Sequence, residues 1–316
     1  MTEHERIAWL RHFFGDTNGA HDKVLLGIGD DAAVLAPMRS SQVVSVDAHV
    51  ENVHFARDLM TFEEVGYRAT MAALSDLAAM GAKPLGVLAS IALPSGEPDT
   101  TLHDIARGQK SAATAAGTTM IGGNLSRASE VSISTTVLGT ASRPILRNGA
   151  RPGDLVVLGG PVGLAGAGLR IARRGGATTH AEKVAIAAFK HPLARIDLGQ
   201  RAASERVSAM IDVSDGLAAD ASHIAKESGL ELVLEESALE DPLLSELAAS
   251  LGCTATELAL YGGEDFALLA TIGADPIPEG MRRIGRCLPS DEPKVLVAER
   301  NGTVRPVDVH GFDHFA

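Results

Sequence analysis

Short runs rich in Val and Ile alternate with long Ala-rich stretches through most of this chain, and that alternation constrains its fold most strongly. "QVVSVDAHV" (42–50) reads as a strand, and "EVSISTTVLGT" (130–140) as another with near period-two alternation. Between them, "TFEEVGYRATMAALSDLAAMGA" (61–82) opens on Thr61-x-x-Glu64, a capping box, and closes on Gly81 as a helix stop. A second helix is predicted over 98–117, ending at Gly117. Further along, "DLVVLGG" (154–160) is a strand, and 208–229 reads as strand, turn and helix closing on Gly229. "YGGEDFALLAT" (261–271) is a double-glycine turn feeding another strand. This is an α+β pattern. The connector "RPILRNGARPGD" breaks it and marks a domain boundary near 143–153. With 316 residues there is room for two domains, each with its own core.

Composition narrows the function classes. A net charge of −12 argues against a basic footprint for nucleic acid or an anionic membrane, and 3% aromatics is too few for a base-stacking platform. An acidic protein that handles phosphates needs metal ions to reverse the local sign. The two cysteines, Cys253 and Cys287, form neither a disulfide framework nor a zinc cluster and fit a reducing cytosol. "MTEHERIAWLRHFF" carries acids and histidines where a signal peptide would be basic and then apolar. The apolar stretch 85–93 is far short of the roughly 20 residues that span a bilayer. A soluble, cytoplasmic protein is expected.

Chemistry concentrates in acids at element ends. "GIGDDAAVLAP" (27–37) sets Asp30 beside Asp31, just ahead of an apolar run. The pair is either a polar turn before a strand or a cation site. Asp47 is expected at the end of its strand. Asp76 lies within roughly 40° of Val65, Ala69, Ala72 and Met80 on a helical wheel, on the apolar side. A carboxylate there must be paired, hydrogen-bonded, protonated or metal-bound. "MIDVSDGLAAD" places Asp212 at a strand end, Ser214 where an N-cap would sit, and Asp215 beside it. Capping explains Ser214 and Asp215 but leaves Asp212 idle. Six carboxylates in such positions suit Mg²⁺, a hard cation that bridges carboxylates to substrate phosphates. "IGGNLS" (121–126) reads as a Gly-Gly turn that a phosphate can approach, with Asn124 as a neutral oxygen donor. No P-loop pattern occurs, and "GGPVGLAGAG" (159–168) lacks the spacing of a dinucleotide fingerprint.

The ordered set "GIGDDAAVL", "VDAHVENVHF", "LSDLAAMGAKP", "IGGN", "RNGARPGD", "IDVSDGL", "GGEDFAL" and "GFDHF" spans nearly the whole chain. In that set the sequence resembles the thiamine-monophosphate kinase family, within the ATP-binding superfamily that includes aminoimidazole ribonucleotide synthetase. The resemblance implies two mixed α/β domains. Residues 1–146 would bind ATP and Mg²⁺ and dimerise through their sheet, and 147–316 would complete the active-site cleft. It implies that Asp30, Asp31, Asp47, Asp76, Asp212 and Asp215 gather Mg²⁺ on the ATP phosphates, with Ser45 and Asn124 as helpers. It assigns Gly122, Gly123, Asn124, Arg147 and Ser214 to ATP, and His54, Glu264 and Phe312 to thiamine monophosphate. A homodimer is implied, with no nucleic-acid or membrane partner.

The expected reaction moves the ATP γ-phosphoryl group onto the phosphate of thiamine monophosphate. The acceptor is already an anion, so neither a strong base nor a covalent nucleophile is called for. Two departures stand out. The family's usual Gly-Gly-Asp is Gly122-Gly123-Asn124 here, and its Thr-Gly-x-x-Gly-Asp turn appears as "LGGPVGLAG" without the acid. A selenophosphate synthetase would want a reactive Cys near the N-terminus, and an aminoimidazole ribonucleotide synthetase an Asp-Gly-Val-Gly-Thr-Lys-like stretch. Neither is present. A non-catalytic nucleotide or metal sensor is the rival from another class.

Overall fold

A computed structural model describes residues 2–15, 23–28, 32–273 and 276–309. The chain divides into two compact units, one of residues 1–77 and 82–143, the other of 78–81 and 144–316.

The first unit holds, in chain order, α1 (Glu3–Phe14), β1 (Val24–Leu26), β2 (Val34–Leu35), β3 (Ser41–Val50), α2 (Phe62–Ala79), β4 (Lys83–Leu93), α3 (Asp99–Ala115), β5 (Met120–Arg127) and β6 (Ser132–Ala141). The last two residues of α2 are grouped with the second unit. Strands β3, β6, β4 and β5 form a four-stranded sheet in that order. In β6 alternate residues are fully buried, so Ile133, Thr135 and Val137 share one face, as period-two patterning requires. The capping box at α2 is formed: Thr61 and Glu64 exchange backbone-to-side-chain hydrogen bonds of 2.7 and 3.3 Å. Helices α2 and α3 touch where they carry glycine. A methyl at Gly66 would lie 2.2 Å from the Ile105 carbonyl oxygen, and one at Gly108 1.9 Å from that of Glu63.

Two segments differ from the sequence reading. The Gly122-Gly123-Asn124 stretch lies inside β5 and is not a turn. Gly123 is needed there because a Cβ would stand 2.2 Å from the Ala89 carbonyl oxygen of β4. Asp47 sits within β3, which runs on to Val50, because β3 pairs without interruption with all of β6.

The second unit holds β7 (Leu155–Gly159), α4 (Leu164–Arg173), α5 (His180–Lys190), α6 (Ile196–Ser204), β8 (Ala209–Val213), α7 (Leu217–Ser228), β9 (Leu230–Glu235), α8 (Glu236–Leu239), α9 (Pro242–Leu251), α10 (Ala255–Tyr261), β10 (Ala267–Ile272), β11 (Arg282–Pro289), β12 (Lys294–Ala298) and β13 (Val304–Pro306). Its sheet runs β13-β12-β9-β11-β7-β10-β8. Leu158, Ile211, Leu232 and Leu269 from the sheet share a core with Ile171, Ala218 and Ile224 from the helices. Strand β10 runs antiparallel to both neighbours, pairing Leu268 with Gly159 and with Asp212. The ends of β7 and β8 and the start of β10 therefore lie side by side, and three glycine-bearing turns meet there. Among the described residues no single helix is long and apolar enough to cross a membrane.

Candidate functional site

In the first unit, strand β3 and helix α2 bring two expected ligands together. The Ser45 hydroxyl donates to Asp76 Oδ2 at 2.5 Å. Asp76 is half-buried between Ser75 and Leu77, which are fully buried. The apolar face inferred for Asp76 is thus real, and a hydroxyl partner resolves the question its burial posed. Asp47 lies on the same pleat as Ser45, two residues on, and accepts the backbone N–H of Ala48 at 2.8 Å. His49 follows on that pleat, 3% exposed, and burial holds it in the neutral form, down to about 3.

His54 lies on the loop after β3. Its Nδ1 accepts the Val50 N–H at 3.1 Å, so in the neutral ring the proton sits on Nε2, which is then a donor. The loop is clamped from outside. Arg57 binds Glu51, and its Nη1 reaches Glu97 at 3.0 Å, while Glu51 accepts the Val131 N–H at 3.0 Å.

Gly122, Gly123 and Asn124 are placed differently. Register pairs Asp47 with Thr135, Thr135 with Ala89, and Ala89 with Gly123. Asn124 pairs with Ser90 and falls on the alternate pleat, exposed. Asp30, Asp31 and Phe312 lie outside the described residues.

In the second unit the turns after β8 and before β10 are tied together. The Glu264 N–H donates to the Ser214 carbonyl at 2.7 Å and the Phe266 N–H to that of Val213 at 2.9 Å. Glu264 takes a φ of 64° to do so. Asp212 is 5% exposed and Asp215 is exposed, so one acid faces inward and the other outward. Arg147 is exposed, its carbonyl accepting from Ser228 Oγ at 3.0 Å. Its positive charge, after burial, keeps the nearby His223 below its ordinary pKa.

Ser214 is not the N-cap of α7. Gly216 fills that position with a φ of 107°, and no side chain caps it. The backbone amides of Ser214 and Asp215 donate instead to the Asp220 carboxylate, at 3.0 and 3.1 Å. Burial, and then the charges of Asp212 and Asp215, push Asp220 up to about 8. The first amides of α4 are likewise taken, since Gly163 and Ala165 donate to Asp265 at 2.5 and 2.8 Å. No phosphate needs to fill that glycine-rich helix start, which disposes of the dinucleotide reading. Asp220 and Asp265 both lie inside motifs read in the sequence, Asp265 next to Glu264 and Asp220 five residues past Asp215. What marks them is the backbone they hold, for Asp220 the turn five and six residues before it and for Asp265 the start of α4 about a hundred residues away, which spacing does not reveal.

The donor set is all oxygen: aspartate carboxylates and a serine hydroxyl. Among the described residues no three His, Cys, Asp or Glu side chains stand close enough to hold an ion alone. An all-oxygen donor set of this kind suits a hard cation such as Mg²⁺, which takes one or two carboxylates and fills its remaining positions with water and phosphate oxygens.

The two sheet-based units fall together in one class, that of the AIR synthase related proteins. Residues 29–141 match the AIR synthase related protein N-terminal domain, and 151–292 match the AIR synthase related protein C-terminal domain. A thiamine-monophosphate kinase of Archaeoglobus fulgidus is 34% identical over 323 aligned positions, spanning 100% of this chain and 98% of its own. One from Mycobacterium tuberculosis is 35% identical over 84% of this chain and 80% of its own. A solved structure of AaThiL complexed with AMPPCP and TMP superposes with a TM-score of 0.80 at 30% identity, covering 99% of this chain and 97% of that one. The chain belongs to the thiamine-monophosphate kinase family.

Proposed function

We propose that this chain phosphorylates thiamine monophosphate to thiamine diphosphate, using ATP and releasing ADP. The relatives carry that activity in their names, and the AaThiL structure holds an ATP analogue together with thiamine monophosphate. The observation in this chain that carries the reading is the 2.7 Å latch from Glu264 to Ser214. It sets the turn assigned to the nucleotide against the turn assigned to the acceptor, as transfer between two bound phosphates requires.

Asp30, Asp31, Asp47, Asp76, Asp212 and Asp215 would hold Mg²⁺, with Ser45 in support, while Asn124, on the opposite pleat from Asp47, would serve the nucleotide instead. When bound, the ions screen repulsion between the two polyanions and steady charge on the moving phosphoryl group. Ser45 aims the Asp76 carboxylate by donating to it. Gly122, Gly123, Asn124, Arg147 and Ser214 meet the nucleotide. His54, through its Nε2 proton, donates to the acceptor phosphate. Glu264 faces the cationic thiamine and Phe312 packs on its ring. The acceptor oxygen is already charged, so the chain positions both phosphates and supplies neither base nor nucleophile. Residues 1–146 act as the ATP- and Mg²⁺-binding domain and 147–316 carry the remaining acids and Glu264. Val44 and Val46, 60% and 65% exposed on β3, support pairing of two copies through the first unit's sheet. The composition supports a cytoplasmic setting without nucleic-acid or membrane partners.

Purified chain given Mg-ATP and thiamine monophosphate should yield ADP and thiamine diphosphate in equal amounts. Bound ATP with neither product would favour the non-catalytic sensor instead.

A further inference from the structure

Asp220, on the first turn of α7, is 2% exposed. One of its oxygens, Oδ2, accepts both the Ser214 and the Asp215 N–H, and its own N–H donates to the Gly216 carbonyl at 3.0 Å. A single residue thus ties three consecutive residues of the acidic turn to the helix behind it. The turn needs such an anchor. Gly216 holds a φ of 107°, where a Cβ would stand 3.0 Å from the Leu260 carbonyl oxygen, and no side chain caps the helix at that point. With both amides drawn inward, the Ser214 carbonyl is left to accept from Glu264, and Asp215 extends into solvent.

Burying a carboxylate is costly unless its lone pairs are satisfied, and here that carboxylate is spent on the backbone of the turn. We propose that Asp220 is the positioning residue of the acidic turn: by holding the amides of Ser214 and Asp215 it sets the turn's affinity for Mg-ATP without touching nucleotide or ion. The inference rests on the proposed kinase reading and deepens it. It also separates the acids of "IDVSDGLAAD" by task, Asp212 and Asp215 for the ion and Asp220 for the backbone.

The test compares wild type with Asp220→Ala and Asp220→Asn as full-length protein. Mg-ATP binding is read by calorimetry, turnover by ADP release, and amide protection over residues 213–217 by hydrogen–deuterium exchange. Asp220→Ala should lose that protection and weaken Mg-ATP binding about tenfold or more, the equivalent of ~1.4 kcal/mol. Asp220→Asn keeps an acceptor oxygen, so it should retain the protection and bind Mg-ATP nearly as wild type does. Unchanged binding in Asp220→Ala would overturn the proposal. So would an Asp220→Asn as impaired as Asp220→Ala, since charge and not the acceptor would then matter. If Asp220→Ala does not fold, Asp220→Asn decides alone: near-wild-type binding with intact protection supports the role, and loss of binding overturns it. A wild type that binds Mg-ATP without turnover counts against the kinase reading, and the binding comparison still decides the role of Asp220.

Discussion

Ser45 donates its hydroxyl hydrogen to the Asp76 carboxylate across 2.5 Å, joining strand β3 to helix α2. A hydrogen bond to a charged acceptor contributes about 1.5–3 kcal/mol, and this one also fixes the carboxylate's direction. Asp76 can therefore sit on a helix face otherwise filled by Val65, Ala69 and Ala72 with its carboxylate hydrogen-bonded.

Asp76→Asn should abolish Mg²⁺-dependent turnover with the folded state preserved, because the amide keeps the shape and loses the charge. Ser45→Ala should leave the charge and disturb its aim, raising the half-saturating Mg²⁺ concentration by about tenfold. Steady-state rates across a Mg²⁺ titration check both. Near-wild-type turnover in Asp76→Asn would remove it from the ion's neighbours.

Arg57 holds the His54 loop from outside through Glu51 and Glu97, and its guanidinium lies 5.0 Å from the centre of the Phe62 ring. Arg57→Met should keep the stem's packing and release the clamp. The KM for thiamine monophosphate is expected to rise several-fold while that for Mg-ATP holds. Equal shifts in both would mean that the loop does not serve the acceptor.

Asp265 supplies a pH dependence. Burial pushes its carboxyl from 3.8 up to about 7, against the pull of the amides it accepts. Between those values the folded chain keeps a proton that the unfolded chain has released. The stabilising contribution is complete below about pH 4 and is lost as pH rises through about 7. Metal-free chemical unfolding should show the second unit losing stability between about pH 4 and about pH 7, and Asp265→Asn should flatten that slope. An identical slope in the variant would contradict the assignment.

Gly163 precedes α4 with a φ of 85°, and a Cβ would stand 2.6 Å from the Leu258 carbonyl oxygen. Gly163→Ala combines a left-handed backbone with a backbone clash and should cost about 2 kcal/mol or more in an unfolding titration. An unchanged midpoint would show that the turn relaxes freely.

Much of the fold can be read locally. Strand β6 declares itself by alternation, α2 by its capping box and α7 by Gly229, whose φ of 66° closes the helix. Helix α1 carries the same kind of signal, a Thr2–Glu5 capping box, within a stretch easily read only for what it excludes. The apolar 85–93 run is the heart of β4, whose neighbours β6 and β5 lie far along the chain. Pairings of that kind leave no local trace. The site follows the same rule. Asp76 stands out because a charge interrupts an apolar stripe, and its partner Ser45 came from family resemblance. Asp220 and Asp265 look like ordinary acids close to glycine-bearing turns, and only the fold shows them holding other residues' amides. Gly123 looks like a turn and proves to be where β5 crowds β4.

The most direct test of direct phosphoryl transfer uses ATP labelled with heavy oxygen in its γ-phosphoryl group, together with Mg²⁺ and thiamine monophosphate. The account predicts the label on the terminal phosphoryl of thiamine diphosphate, matched by ADP, with none in free phosphate. Label released as inorganic phosphate, or AMP in place of ADP, would contradict it.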